Sequence, residues 1–88
     1  MERYNGWANY ETWRINLEVI DGLTPRDLGV TALVENVEAL GQVLEMHTCE
    51  LIEQQAKGFA LDLAHSFLAR VDWEEIASHM IDDYAGED

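Results

Sequence analysis

The chain has 88 residues, 48% of them hydrophobic, and carries 18 Asp and Glu against 5 Lys and Arg, a formal charge of −13 at pH 7. That length fits one domain, 1–88, with a modest core, and three tryptophans exclude a disordered tail. The charge excludes direct nucleic-acid binding, which needs a basic footprint, and adhesion to an anionic membrane.

The first turn signal is Asn5-Gly6, followed by Asn9 as the N-cap of a helix expected over 10–20. Tyr10, Trp13, Leu17 and Ile20 recur with the 3.6-residue period and are expected to face inward, leaving Ile15 and Val19 on another side. Asp21-Gly22 ends this element. Thr24-Pro25-Arg26-Asp27 reads as a second helix start, closed as a short turn by Gly29. A long helix is expected over 31–56, with Leu33, Val37, Leu40, Leu44, His47 and Leu51 on one face and Glu35, Glu38, Gln42, Glu45 and Glu53 opposite. Gly41 weakens its continuity, by about 1 kcal/mol relative to Ala. Lys57-Gly58 is a stop signal, and a helix over 59–70 follows with Phe59, Leu63, Phe67 and Arg70 on one face. Asp72 opens the last helix as an Asp version of the capping box. There, Trp73, Ile76, Ala77, Met80, Ile81 and Tyr84 form the inward stripe, while Glu74, Glu75, Ser78, Asp82 and Asp83 point out. The fold class is therefore all-α, a small bundle of three to five helices, with its first and last helices packed through Trp13 and Trp73.

Two segments carry a resemblance. Asn5-Gly6-Trp7-Ala8-Asn9-Tyr10-Glu11-Thr12-Trp13 resembles the opening of a family of small proteins from phages, plasmids and their hosts, which begin with Asn-Gly-Trp-x-Asn-Tyr-Glu-Thr-Trp. Residues 71–81, Val-Asp-Trp-Glu-Glu-Ile-Ala-Ser-His-Met-Ile, resemble that family's closing segment. With the first continuing to Leu17, the two cover about a quarter of the chain. The resemblance implies no biochemical activity. It implies a setting, small genes on mobile elements near functions directed at the host. The family usually has a further aromatic near the end of the first helix, where this chain has Glu18 and Val19.

Catalysis and metal binding find little support. The single cysteine, Cys49, forms no intramolecular disulfide, and His47 lies two residues away, on a different helix face. His79 and Asp83 at i, i+4 share a helix side, but no Cys/His spacing of a known metal site occurs. No enzyme, cofactor or metal is expected. The N-terminal residues show no basic region followed by an apolar one, and there is no run of 18 apolar residues, so a cytoplasmic location in a host bacterial cell is expected.

The acids are the main functional signal. Glu35, Glu38 and Glu45 line up along the long helix, and Glu74, Glu75, Asp82 and Asp83 form a second cluster. Such an array repels itself, and it complements a basic groove. Combined with the mobile-element setting, it leads to the expectation of a phage inhibitor of a host defence nuclease. That inhibitor would be an anti-CRISPR or anti-restriction protein occupying a basic nucleic-acid-binding surface as a DNA mimic. The partner would be a CRISPR effector subunit or a restriction enzyme, contacted by Glu35, Glu38, Glu45, Glu74, Glu75, Asp82 and Asp83. The alternative is an adaptor or regulator that binds through an apolar face of Trp7, Ile15 and Val19, or forms a homodimer there, with the acids serving only solvation.

Overall fold

Asn5 and Gly6 both have positive φ, 49° and 87°. They form the two-residue turn favoured by an Asn-Gly pair, and Tyr4 and Trp7 exchange two backbone hydrogen bonds across it, each 2.8 Å. The computed structural model describes residues 3–30 and 36–85. Beyond the turn, Asn9 caps α1, Tyr10–Ile15, accepting at its side-chain oxygen from the Thr12 N–H. The helix then widens into a π segment, Asn16–Ile20, closed by a hydrogen bond from Asp21 N–H to the Asn16 carbonyl at 2.7 Å.

That change of pitch decides which side faces in. In an uninterrupted α-helix, Ile15 and Ile20 lie about 140° apart. Here both are buried, together with Thr12, while Leu17 is 47% and Tyr10 39% exposed. The expected inward stripe of Tyr10, Trp13, Leu17 and Ile20 is therefore corrected: only Ile20 of the four is in the core. Ile15, expected on a partner-binding face, is core, and Val19 and Trp7 are half-buried against it.

Thr24 to Gly29 forms a tight turn, with Thr24 N–H donating to Asp27 Oδ2 at 2.9 Å and Asp27 N–H to Thr24 Oγ1 at 3.2 Å. The expected helix start is present as a reciprocal cap on a turn. The long helix begins at Val37 rather than Thr31: Asn36 is extended and its side chain accepts from Ala39 N–H at 3.0 Å. Leu33 and Glu35 lie outside the described residues. α2, Val37–Glu53, runs unbroken through Gly41. A Cβ at Gly41 would lie 3.3 Å from the Trp73 backbone, so the glycine is the point of closest approach between α2 and the last helix. Leu40 and Leu44 are fully buried there, and the buried Thr48 hydroxyl is satisfied by the Leu44 carbonyl at 2.9 Å.

α3, Gly58–Leu68, follows a short turn, and α4, Trp73–Ala85, closes the chain. α4 packs along α2 through Ile76, Ala77 and Met80. The result is all-α, with no strand among the described residues beyond the single Tyr4–Trp7 bridge. The molecule is 20 Å thick in its shortest dimension, about two helix diameters. On α3, Leu68 is buried and Phe67 half-buried against the core, but Phe59 is 76% and Leu63 55% exposed, so the face they share opens to solvent at its N-terminal end.

The first and last helices do not meet through Trp13 and Trp73. Trp13 instead joins Tyr4 and Tyr10, with ring centroids 5.0 and 5.7 Å away. The tie is polar. The buried Thr12 hydroxyl donates to Asn9 Oδ1 at 2.6 Å and accepts from Asp72 N–H at 2.8 Å. Asn9 Nδ2 donates to the Arg70 carbonyl at 2.7 Å, and Ala8 N–H to Glu75 Oε1 at 2.7 Å. Arg3 pairs with the other Glu75 oxygen, and Arg70 with Glu11 at 3.0 Å. The two segments that carry the family resemblance are thus bound to each other.

Removing the Thr12 hydroxyl strands the part-buried Asp72 N–H and empties a fully buried polar site, a loss of about 1–3 kcal/mol. Thr12→Val is expected to lower the melting temperature, followed by circular dichroism, by roughly 10 °C. Thr12→Ser keeps the hydroxyl and should lose less than half as much.

An acidic groove between the second and fourth helices

The closest approach at Gly41 leaves a groove of about 590 Å³ beside it. Glu38, Gln42 and Glu45, at i, i+4 and i+7 of α2, form one wall. Asp72, Trp73 and Glu74 at the start of α4 form the other, with Ala8, Asn9 and Arg70 also lining the groove. Glu38 and Glu45 are about 10 Å apart along the helix axis. Glu38, Glu45, Asp72 and Glu74 are all exposed, and none is in a salt bridge among the described residues. Asp72 has a second duty, its Oδ1 accepting from Glu75 N–H at 3.1 Å to cap α4. Arg70, the one cation in the lining, is paired with Glu11 on α1.

Of the acids expected to contact a partner, the fold brings Glu38, Glu45 and Glu74 to this groove and adds Asp72. Glu75 does not join them: it points to the first segment, held by Ala8 and Arg3, with its side chain only 15% exposed. Asp82 is exposed on α4 away from the groove. Asp83 borders a separate recess with Asp21, Leu23 and Met80. Trp7 is half-buried, packed against the core and stacked on His79, their ring centroids 4.3 Å apart. Gln42 and Trp73 are groove residues that charge alone did not single out; their signal is Gln42's position one turn from Glu38 and Trp73's place between two acids.

Among the described residues no group of three or more His, Cys, Asp or Glu is arranged to hold a metal ion. No helix of the described residues is long and apolar enough to cross a membrane. Cys49 is half-buried on α2 near the groove's acidic wall. Burial pushes its thiol pKa up, and the charges of Glu45 and Glu53 push it further. A thiolate, the reactive form, is thereby disfavoured. Cys49 is expected to react with a thiol reagent at pH 8 several-fold more slowly than a free thiol. A Glu45→Gln, Glu53→Gln variant should react faster, because two of the charges opposing the thiolate are gone.

No curated protein and no solved structure is similar to the chain. A family model does match, over residues 1–85, which include both segments joined by the Thr12 contacts. The chain belongs to the family of unknown function DUF7249.

Proposed function

We propose that the protein is a non-enzymatic inhibitor that places its acidic groove on the basic nucleic-acid-binding surface of a partner. The observation that carries this reading is the group of four exposed carboxylates, Glu38, Glu45, Asp72 and Glu74, gathered on one groove with no neutralising ion pair among the described residues. An inhibitor of this kind needs anionic oxygens at fixed positions on rigid elements. Two helices supply them, and their spacing of about 10 Å on α2 compares with about three phosphate steps of a DNA strand at 3.4 Å each. Basic partners approach such a surface quickly and with a steep salt dependence.

The partner class is a nucleic-acid-binding enzyme of bacterial defence, a CRISPR effector or a restriction enzyme, met in the host cytoplasm. The mobile-element setting that the sequence resemblance implies supports that choice, and the charge supports the mode of contact. The contacting acids are Glu38, Glu45 and Glu74, with Asp72 beside them. Glu75 is assigned to the fold, since its oxygens are engaged by Ala8 and Arg3.

The test is capture of purified CRISPR effectors and restriction enzymes on the immobilised protein, with cleavage of target DNA as a second readout. Binding should fall as salt rises from about 0.05 to 0.5 M, where screening shortens from over 10 Å to a few Å. Target DNA or guide RNA should compete with it. A Glu38→Gln, Glu45→Gln, Glu74→Gln variant should lose at least tenfold in affinity with unchanged helicity. Binding that ignores salt, nucleic acid and these three substitutions would overturn the reading.

A further inference from the structure

The acids are unevenly distributed. Of the 18, only Asp62 lies in residues 54–71, a stretch that also contains Lys57 and Arg70 and so carries a formal charge of +1 in a chain of −13. The same stretch holds the most exposed large apolar side chain, Phe59, and a second one beside it, Leu63. Phe59 and Leu63, at i and i+4 of α3, are 76% and 55% exposed. Phe67, one turn further, meets Tyr10 edge-on at 6.2 Å. Tyr10 continues the surface to Tyr4, 5.2 Å away, and Leu17 lies two turns along from Tyr10. Tyr4, Tyr10 and Leu17 are also exposed. At the rim, Arg70 pairs with Glu11 and Arg14 with Glu18 at 3.7 Å, so even the flanking charges are matched. The stripe is thus apolar and close to neutral on an otherwise acidic molecule.

We propose that this α3 face is the interface of a symmetric dimer, with a second copy of the chain as its occupant. The charge distribution selects that occupant. A basic partner gains nothing from a stripe with no net negative charge and is drawn to the acids elsewhere. Two copies of a −13 chain repel each other through every other surface, and α3 is where they can meet with least repulsion. A two-fold axis needs a self-complementary patch, and an apolar helix lying antiparallel on its copy satisfies that requirement. A standard interface takes about 800 Å² from each side, roughly a seventh of the protomer's 5865 Å² surface. Phe59 and Leu63 alone are too few for that, so the dimer face takes in the exposed Tyr4, Tyr10 and Leu17 as well. Met46, also exposed, stands apart on α2 between Gln42 and Glu50 and takes no part.

The apolar residues of the dimer face, Phe59, Leu63, Phe67, Tyr4, Tyr10 and Leu17, line no part of the acidic groove, and only Arg70 borders both. The substitutions that test the dimer, at Phe59 and Leu63, are therefore distinct from those that test the proposed function. The experiment is sedimentation equilibrium of the full chain over a range of protein and salt concentrations. The expected result is a mass of two 10.0 kDa chains. Association should strengthen towards about 1 M salt, where the Debye length is about 3 Å and self-repulsion is screened. Phe59→Glu with Leu63→Glu alters only exposed side chains, so helicity should be kept, and the dissociation constant should rise by about 100-fold or more. Two results overturn the proposal: a monomer at every salt up to about 1 mM protein, or a dimer that persists in the doubly substituted, folded variant.

Discussion

The fold depends on one buried hydroxyl. Thr12 Oγ1 sits where α1 and the junction between α3 and α4 converge, donating to Asn9 and accepting from the Asp72 backbone. It makes both bonds inside the protein, with no exposed surface of its own. Asn9 caps α1 with its oxygen and holds the Arg70 carbonyl with its nitrogen. Asp72 caps α4, and Glu75, one turn later, reaches back to Ala8 and Arg3. A chain of 88 residues has little core, and its apolar contacts specify position weakly. Hydrogen bonds between named groups specify it by their direction, and the fully buried Thr12 hydroxyl has no water to replace a partner it loses.

This clamp also places the groove. The residues it fixes, Ala8, Asn9, Arg70 and Asp72, line the groove alongside the carboxylates of α2 and α4. Gly41 completes the geometry by letting the Trp73 backbone come within van der Waals distance of α2. Acids that repel one another are therefore held together by polar contacts and backbone packing beneath them. The signature segments act as scaffold and also supply one side of the groove, Ala8, Asn9, Asp72, Trp73 and Glu74, while α2 supplies Glu38, Gln42 and Glu45 opposite.

Helix number and order were legible in the sequence because caps and stops are local chemistry. Asn5-Gly6, Asn9, Lys57-Gly58 and Asp72 mark the boundaries they were expected to mark, within a residue or two. Thr24 with Asp27 caps a turn rather than the expected helix, and the long helix starts at Val37 instead of Thr31 because Asn36 is its cap. Two facings were not legible. The π segment at Asn16–Ile20 shifts the register, so a count at 3.6 residues per turn sends Leu17 inward and Ile15 outward, the reverse of what occurs. Hydrophobic periodicity on α3 gives a stripe but not the side it is covered from, and that stripe is left open at Phe59 and Leu63. Site residues divide in the same way. Glu38, Glu45 and Glu74 follow from helical spacing and exposure, whereas the engagement of Glu75 depends on a backbone N–H 67 residues earlier, which no local pattern reveals.

The central claim is that the Asp72 N–H is held by the Thr12 hydroxyl and that this bond ties the two ends of the chain together. Amide hydrogen exchange at Asp72 and Ala8 tests it most directly, because both groups lie outside helical ladders and each has one side-chain acceptor. The account predicts exchange of both amides slowed to the level of the buried centre of α2, opening only when the whole domain unfolds. Exchange of Asp72 at the rate of an open loop, with α2 still protected, would contradict it.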